Sequence, residues 1–314
     1  MENLNLIVQI PAYNEEATIA KVIKEIPRKM PGIGIIGFGI LGKALKHVFE
    51  IKFPIYIYDK FQKEYSDITS LAKNAEVIFL AVPTPMNDDG KINLECVEDA
   101  LKTISEAVKK ENKKPIIVIR STIIPGTTDM LQKKYLSVTL VFNPEFLTEK
   151  NLLNDMRNTD RVVIGSFDKT SSKVVEEIYK KIFPDASYIL TDTRTAEMIK
   201  YASNVTLASQ IMIANELYQI CQKSGIDYNV VKDTLLLDKR IGNNINVPGH
   251  DGDFGFGGKC FPKDLNALIN FSKNKGYNPE LFEQVWKSNL KLRKKRDWEE
   301  IKGATSKNNF NSIN

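Results

Sequence analysis

Between Ile33 and Phe142 the apolar residues come in short unbroken runs separated by stretches of mixed polarity. Ile33-Gly34-Ile35-Ile36, Pro54-Ile55-Tyr56-Ile57-Tyr58, Glu76-Val77-Ile78-Phe79-Leu80-Ala81-Val82, Ile116-Ile117-Val118-Ile119 and Val138-Thr139-Leu140-Val141-Phe142 each have strand length. Runs without polar alternation are typical of parallel strands covered by helices on both faces. After the first run, Lys43-Ala44-Leu45-Lys46-His47-Val48-Phe49 carries apolar residues at helical spacing, and helical segments separate the later runs. This order predicts an α/β fold built on a doubly wound parallel sheet. From about Thr191 the pattern predicts mostly helix.

The first strand leads directly into Gly37-Phe38-Gly39-Ile40-Leu41-Gly42, a G-x-G-x-x-G turn that opens the first helix. Asp59 ends the second strand, twenty residues beyond Gly39, the distance expected for the acid that binds an adenosine ribose. Together they predict a Rossmann-type dinucleotide site. A carboxylate at Asp59 disfavours the 2′-phosphate of NADP, so NAD is the expected cofactor, a preference that Lys60 beside it softens. The later strands end in Val82-Pro83-Thr84-Pro85, Arg120-Ser121-Thr122 and Asn143-Pro144-Glu145. In an open parallel sheet, ligands lie at such carboxyl ends.

The composition is that of an ordinary globular protein, with 42% hydrophobic and 26% charged residues. Three cysteines, Cys96, Cys221 and Cys260, are too few and too odd in number for a disulfide framework, which predicts a reducing, cytoplasmic setting. The N-terminus lacks a basic region, so no signal peptide is expected. The most apolar window, Ile33–Leu41, is too short to span a bilayer. The net charge of +5 owes much to Lys291-Leu292-Arg293-Lys294-Lys295-Arg296. No aromatic residues interleave with this run, so a solvated helix end is expected there rather than a nucleic-acid patch. No metal is expected.

One segment carries candidate chemistry of its own. Gly255-Phe256-Gly257-Gly258-Lys259-Cys260-Phe261-Pro262-Lys263-Asp264 sets a cysteine in a glycine-rich turn where backbone could approach a ligand. Lys259 and Lys263 flank the thiol, and cations favour the nucleophilic thiolate. Cys221, within Leu217-Tyr218-Gln219-Ile220-Cys221, reads instead as a packing residue.

This segment follows, in order, Ala81-Val82-Pro83-Thr84-Pro85, Ser121-Thr122-Ile123-Ile124-Pro125-Gly126-Thr127, Asn143-Pro144-Glu145-Phe146-Leu147, Arg161-Val162-Val163-Ile164-Gly165, Ala196-Glu197-Met198-Ile199-Lys200-Tyr201-Ala202-Ser203-Asn204 and Asp238-Lys239-Arg240-Ile241-Gly242. From about Ile33 to Arg296 the chain resembles the UDP-glucose/GDP-mannose dehydrogenase family. The resemblance implies oxidation of a nucleotide-sugar C6 alcohol to an acid with two NAD+, through a thiohemiacetal and a thioester on Cys260. UDP-glucose is the leading substrate. Lys200 and Asn204 would then stabilise an oxyanion, and Asp264 would work with a water in proton transfer. Glu149 would act as base for thioester hydrolysis, Thr122 and Glu145 would position water, and Lys263 would support the thiolate. Phe146, Leu147, Arg240, Phe254 and Gly257 fall where the family binds the sugar nucleotide, and the long helices would form a homodimer face. Taken singly, Lys200 and Asn204 would read as a helix's solvent face.

The implied organisation is an extension over 1–30, an NAD-binding domain over 31–190, a helical central domain over 191–300 and a tail over 301–314. Three departures stand out. The stretch from Asp59 to the Ala81-Val82-Pro83 strand end is shorter than the family's, and the family's C-terminal nucleotide-closing domain is expected to be missing. Leu6-Ile7-Val8-Gln9-Ile10-Pro11-Ala12-Tyr13-Asn14-Glu15-Glu16 resembles the opening of family 2 glycosyltransferases and is expected to be catalytically idle. Two alternatives remain: a two-electron 3-hydroxyacid-type dehydrogenase, which needs no cysteine, and a non-catalytic protein that binds NAD or a sugar nucleotide.

Overall fold

The computed structural model describes residues 30–148 and 151–307. The glycosyltransferase-like segment over 1–30 (all but its last residue), Glu149 and the end of the tail lie outside the described residues.

Seven strands form one sheet in the order β2-β1-β3-β4-β5-β6-β7: β1 (Ile33–Ile36), β2 (Ile55–Tyr58), β3 (Val77–Leu80), β4 (Ile116–Ile119), β5 (Thr139–Phe142), β6 (Arg161–Gly165) and β7 (Ser187–Thr191). The first five are parallel, as the unbroken apolar runs predict. The sheet departs from the all-parallel expectation at β6, which meets β5 antiparallel through Phe142 and Gly165 and runs parallel to β7. A run such as Val162-Val163-Ile164 is apolar whichever way the strand points, so the pattern carries no direction.

Helices cover both faces. On one face α1 (Ile40–Phe49) and α6 (Lys169–Lys180) enclose a core that includes Ile35, Leu45, Phe49, Phe79 and Tyr179. On the other, α2 (Ile68–Asn74), α3 (Glu95–Lys110) and α4 (Thr127–Lys134) enclose Leu71, Leu80, Leu101, Ile117 and Leu140. A short α5 (Leu152–Arg157) precedes β6. After β7, α7 (Thr193–Ser224) runs for 32 residues, capped by Asp192 at its start and stopped by Gly225 in the left-handed conformation. It packs against α9 (Cys260–Asn274) and α10 (Glu280–Leu292), with α8 (Tyr228–Leu235) at its far end. Tyr201, Val205, Ala208, Phe256, Leu265 and Leu268 form the core of this helical part. Because α7 also packs on β5 and β6, its first turns are brought to the sheet. Among the described residues no helix is long and apolar enough to cross a membrane.

Candidate active site

The parallel direction of β1 to β5 sends all five strand ends to one edge of the sheet, where the expected cofactor residues collect. Gly37 turns the chain at φ +90°, and a Cβ there would lie 2.6 Å from the Ala81 carbonyl oxygen. At Gly42 a Cβ would meet the Gly37 carbonyl oxygen at 2.1 Å, so glycine is what allows α1 to sit against its own turn. Nothing lies within 4 Å of a Cβ at Gly39. Gly39 is also the N-cap of α1, no side chain caps that end, and no acid occupies its first turn. Its amides are left to a ligand, and the helix dipole favours an anionic one. The cradle therefore fits a dinucleotide pyrophosphate.

Asp59 stands beside this turn. One of its carboxylate oxygens accepts the Phe38 N–H at 2.7 Å and the other the Phe61 N–H at 2.9 Å, and lone pairs remain for a diol. The Phe38 ring packs edge-on to Tyr65, while Ile40 is exposed and Leu41 partly buried. Lys60 turns away to pair with Asp99 at the surface, 3.0 Å apart. The Ser121 hydroxyl donates to the Val82 carbonyl at 2.6 Å, tying the ends of β3 and β4 together. Pro83 is exposed, Thr84 buried and Thr122 partly buried.

The thiol cluster forms where α7 and α9 meet the end of β5. Cys260 is the first residue of α9, so Lys263 and Asp264 follow it by about one turn. Lys200 and Asn204 lie four apart on α7 and are both buried, not on a solvent face. The Lys200 ammonium donates to the Glu145 carboxylate at 2.8 Å and to the Glu145 carbonyl at 2.7 Å. Asp264 has no exposed surface; one oxygen accepts from the Asn204 carboxamide and the other pairs with Lys263. Glu145 also accepts the Leu147 N–H at 2.8 Å, and the Phe146 ring lies below both Arg161 (4.3 Å) and Lys200 (5.7 Å).

The charges here are strongly coupled. Burial opposes ionisation of Glu145, but Lys200, the Leu147 amide and Arg120 outweigh it and hold the carboxyl below its usual range. Burial also opposes the Lys200 charge, and Glu145 and Asp264 override it to raise the ammonium pKa. The Cys260 thiol follows the opposite course to the sequence expectation: burial, then Asp264, push it up to about 12 against Lys200 and Lys263. Both cations are already paired with carboxylates, which removes the net positive field that would favour a thiolate. In this state Cys260 is a neutral thiol, and Lys263 is engaged by Asp264.

Residues 56–183 match the model of the UDP-glucose/GDP-mannose dehydrogenase family NAD binding domain, and residues 194–291 match that family's central domain. The chain belongs to this family. It is 39% identical over 222 residues to the UDP-glucose 6-dehydrogenase YwqF of Bacillus subtilis (strain 168), covering 68% of this chain and 48% of that one. A UDP-glucose 6-dehydrogenase of Rickettsia felis is 35% identical over 258 residues, covering 79% and 56%. The structure of a UDP-glucose dehydrogenase from Pyrobaculum islandicum superposes with a TM-score of 0.75 at 28% identity, covering 85% of this chain and 70% of that one. The chain spans about half the length of the curated relatives it matches.

Within this UDP-glucose/GDP-mannose dehydrogenase family chain, several residues expected to bind substrate are engaged elsewhere. Arg240 is exposed, its side chain 89% accessible and bound to Asp238, so this one chain does not bring it to Cys260. Phe254 packs on Tyr218, and the Gly257 α-carbon faces Arg293 and Asp297. Two buried residues of the site lie in quoted motifs but were given no role there. Glu197, one turn before Lys200, accepts the N–H groups of Gly126 and Thr128 and the Thr128 hydroxyl, so it caps α4 from outside that helix. Arg120 donates to the Asn143 carboxamide and, at 3.0 Å, to the Tyr179 hydroxyl behind Glu145. The spacing of Glu197, Lys200 and Asn204 along one helix face was the available clue to the first.

Proposed function

We propose that this chain is an NAD+-dependent nucleotide-sugar 6-dehydrogenase, with UDP-glucose as the first substrate to test. The observation that carries the reading is Cys260 set among Lys200, Lys263, Asp264 and Glu145 beside an open phosphate cradle on the same sheet edge. Residues 31–190 would bind the dinucleotide at Gly37–Gly42, Asp59, Val82–Thr84, Ser121 and Thr122, and residues 191–300 would carry the thiol.

Bound NAD+ would supply two successive two-electron oxidations, alcohol to aldehyde and thiohemiacetal to thioester. The chain's own residues do the rest. Cys260 sulfur bonds to the C6 aldehyde carbon, its proton leaves for solvent or a neighbouring base, and the carbonyl oxygen becomes an oxyanion. The Lys200 ammonium, fixed on Glu145, and the Asn204 carboxamide, fixed on Asp264, would stabilise that oxygen. Water then attacks the thioester carbon, the C–S bond breaks, and sulfur leaves as a thiolate that regains a proton. Asp264, Glu145 and Thr122 would orient that water. A half-buried thiol whose pKa is pushed up among paired charges would be a weak nucleophile until substrate enters.

The proposal extends to a homodimer through the helical part and to a cytoplasmic setting. The supporting observations are the apolar residues Ile213, Ile220, Val230 and Leu237 exposed on α7, α8 and the turn beyond α8, and three cysteines without a disulfide. The test is incubation with UDP-glucose and NAD+, followed by acid quench and peptide mass spectrometry. A UDP-glucuronate product together with a sugar adduct on the Cys260 peptide supports the reading. Sugar acid formed at an undiminished rate by Cys260→Ala would exclude it.

A further inference from the structure

The loop from Asp251 to Gly258 is neither helix nor strand, yet side chains from outside it hold its backbone at Phe254, Gly255, Phe256 and Gly258. Asn215 of α7 accepts the Gly255 N–H at 3.0 Å. Asn289 of α10 accepts the Phe256 N–H at 2.8 Å and donates to the Phe256 carbonyl at 3.0 Å, as one residue of a paired strand would. Asp297, in the turn after α10, accepts the Gly258 N–H at 3.1 Å. Arg293 lies beneath, paired with Asp251 at 2.6 Å and Asp297 at 3.1 Å. Asn289 is 0% exposed and Arg293 6%. The basic run at the end of α10 is therefore not wholly solvated: one of its arginines is a buried crosslink.

The fit is close. A Cβ on Gly255 would meet the Asn289 carboxamide oxygen at 2.1 Å, and one on Gly257 would meet an Arg293 nitrogen at 2.1 Å. The turn that carries Asp297 is itself anchored, because Trp298 is buried with its ring 5.5 Å from that of Trp286. Beyond it, the Met86 N–H donates to the Ala304 carbonyl at 2.9 Å and Ser306 N–H to the Met86 carbonyl at 2.8 Å. The same stretch of chain thus ties the thiol loop to the loop that follows β3.

We propose that Asn289, Arg293 and Asp297 are positioning residues that set the Cys260 thiol against Lys200 and Asp264. The clamped Gly258 amide stands two residues before Cys260, so a shift of the loop moves the sulfur directly. The charge pairs around Cys260 are fixed by α7, α9 and the loop after β5, none of them part of the clamp, which decides whether the thiol stays packed among them. The proposal rests on the reading of Cys260 as nucleophile, but alkylation reports on the thiol whether or not the chain turns substrate over, so the two can fail separately.

The test is the rate of Cys260 alkylation by iodoacetamide across alkaline pH, read by peptide mass spectrometry, with Cys221 as internal control. Asn289→Asp keeps the shape but removes the donor to Phe256 and buries a charge. Asp297→Asn keeps the acceptor for Gly258 and weakens the hold on Arg293, and it serves if the first variant does not fold. The clamp predicts that Cys260 reacts about tenfold faster or more in the variants, the change in thiolate fraction for one unit of pKa, while Cys221 stays protected. It also predicts a lower kcat with an unchanged KM for NAD+. A Cys260 rate equal to wild type in a folded variant overturns the proposal. So does a common acceleration of Cys260 and Cys221, which would mean general loosening.

Discussion

The chain has two glycine-rich turns, and they use glycine for opposite reasons. At Gly39 the space where a side chain would stand is empty and faces uncapped helix amides. At Gly255 and Gly257 that space is filled by the chain itself, by Asn289 in one case and by Arg293 and Asp297 in the other. The first turn is built to receive a ligand; the second is built to be held still. A glycine-rich segment therefore marks a close approach to backbone, and only the surrounding atoms say whether a ligand or the protein makes it.

Substitution separates the two. Gly255→Ala adds a Cβ at φ +67° against a buried carboxamide and should cost roughly 2–5 kcal/mol, read as a drop in denaturation midpoint. A variant as stable as wild type would show that the clamp gives way easily. Gly39→Ala should leave stability within about 1 kcal/mol, because its φ of −75° suits any residue and nothing is struck. NAD+ affinity should nevertheless fall on the order of tenfold or more, about 1.4 kcal/mol, measured by calorimetry. Unchanged affinity would remove the pyrophosphate from this cradle.

Two smaller effects sharpen the picture on either side. Asp59→Asn should reduce the preference for NAD+ over NADP+ by roughly tenfold, about the worth of one charge-assisted hydrogen bond, in competing kcat/KM measurements. An unaltered preference would detach Asp59 from the ribose. On the helical side, burial pushes the Glu197 carboxyl from 4.5 up to about 7, despite three donors from the α4 end. Its folded pKa is raised, so its contribution to stability is full below about pH 4.5 and is lost as pH rises through 7. The stability of wild type relative to Glu197→Gln should therefore fall by roughly 1–3 kcal/mol across that window. A difference that stays constant with pH would show that Glu197 is ionised throughout.

How much of this was legible in sequence depends on whether the cause was local. The five apolar runs became β1 to β5 within a residue or two, because a two-sided apolar strand needs only its own composition to be recognised. The direction of β6 left no trace in Val162-Val163-Ile164, since burial asks the same of both orientations. Motifs singled out Lys200, Asn204, Cys260 and Asp264, but not their pairings. Lys200 is neutralised by a carboxylate 55 residues away, and Asn204 serves an aspartate 60 residues on. The thiolate expectation ran against the same cause: Lys263, counted along the chain as a free cation, is paired with Asp264 in space. Arg293 was hidden by its neighbours Lys294 and Lys295, and Asn289 by being a polar residue on the apolar face of its helix, with Phe282, Val285 and Trp286.

The central claim is that one active site with a cysteine carries an alcohol all the way to an acid. It is tested most directly by the NADH formed per mole of UDP-glucose consumed, with limiting sugar and excess NAD+. The account predicts two NADH per sugar for the wild-type chain, with UDP-glucuronate as the product. One NADH per sugar, or consumption that Cys260→Ala leaves at two, would contradict it.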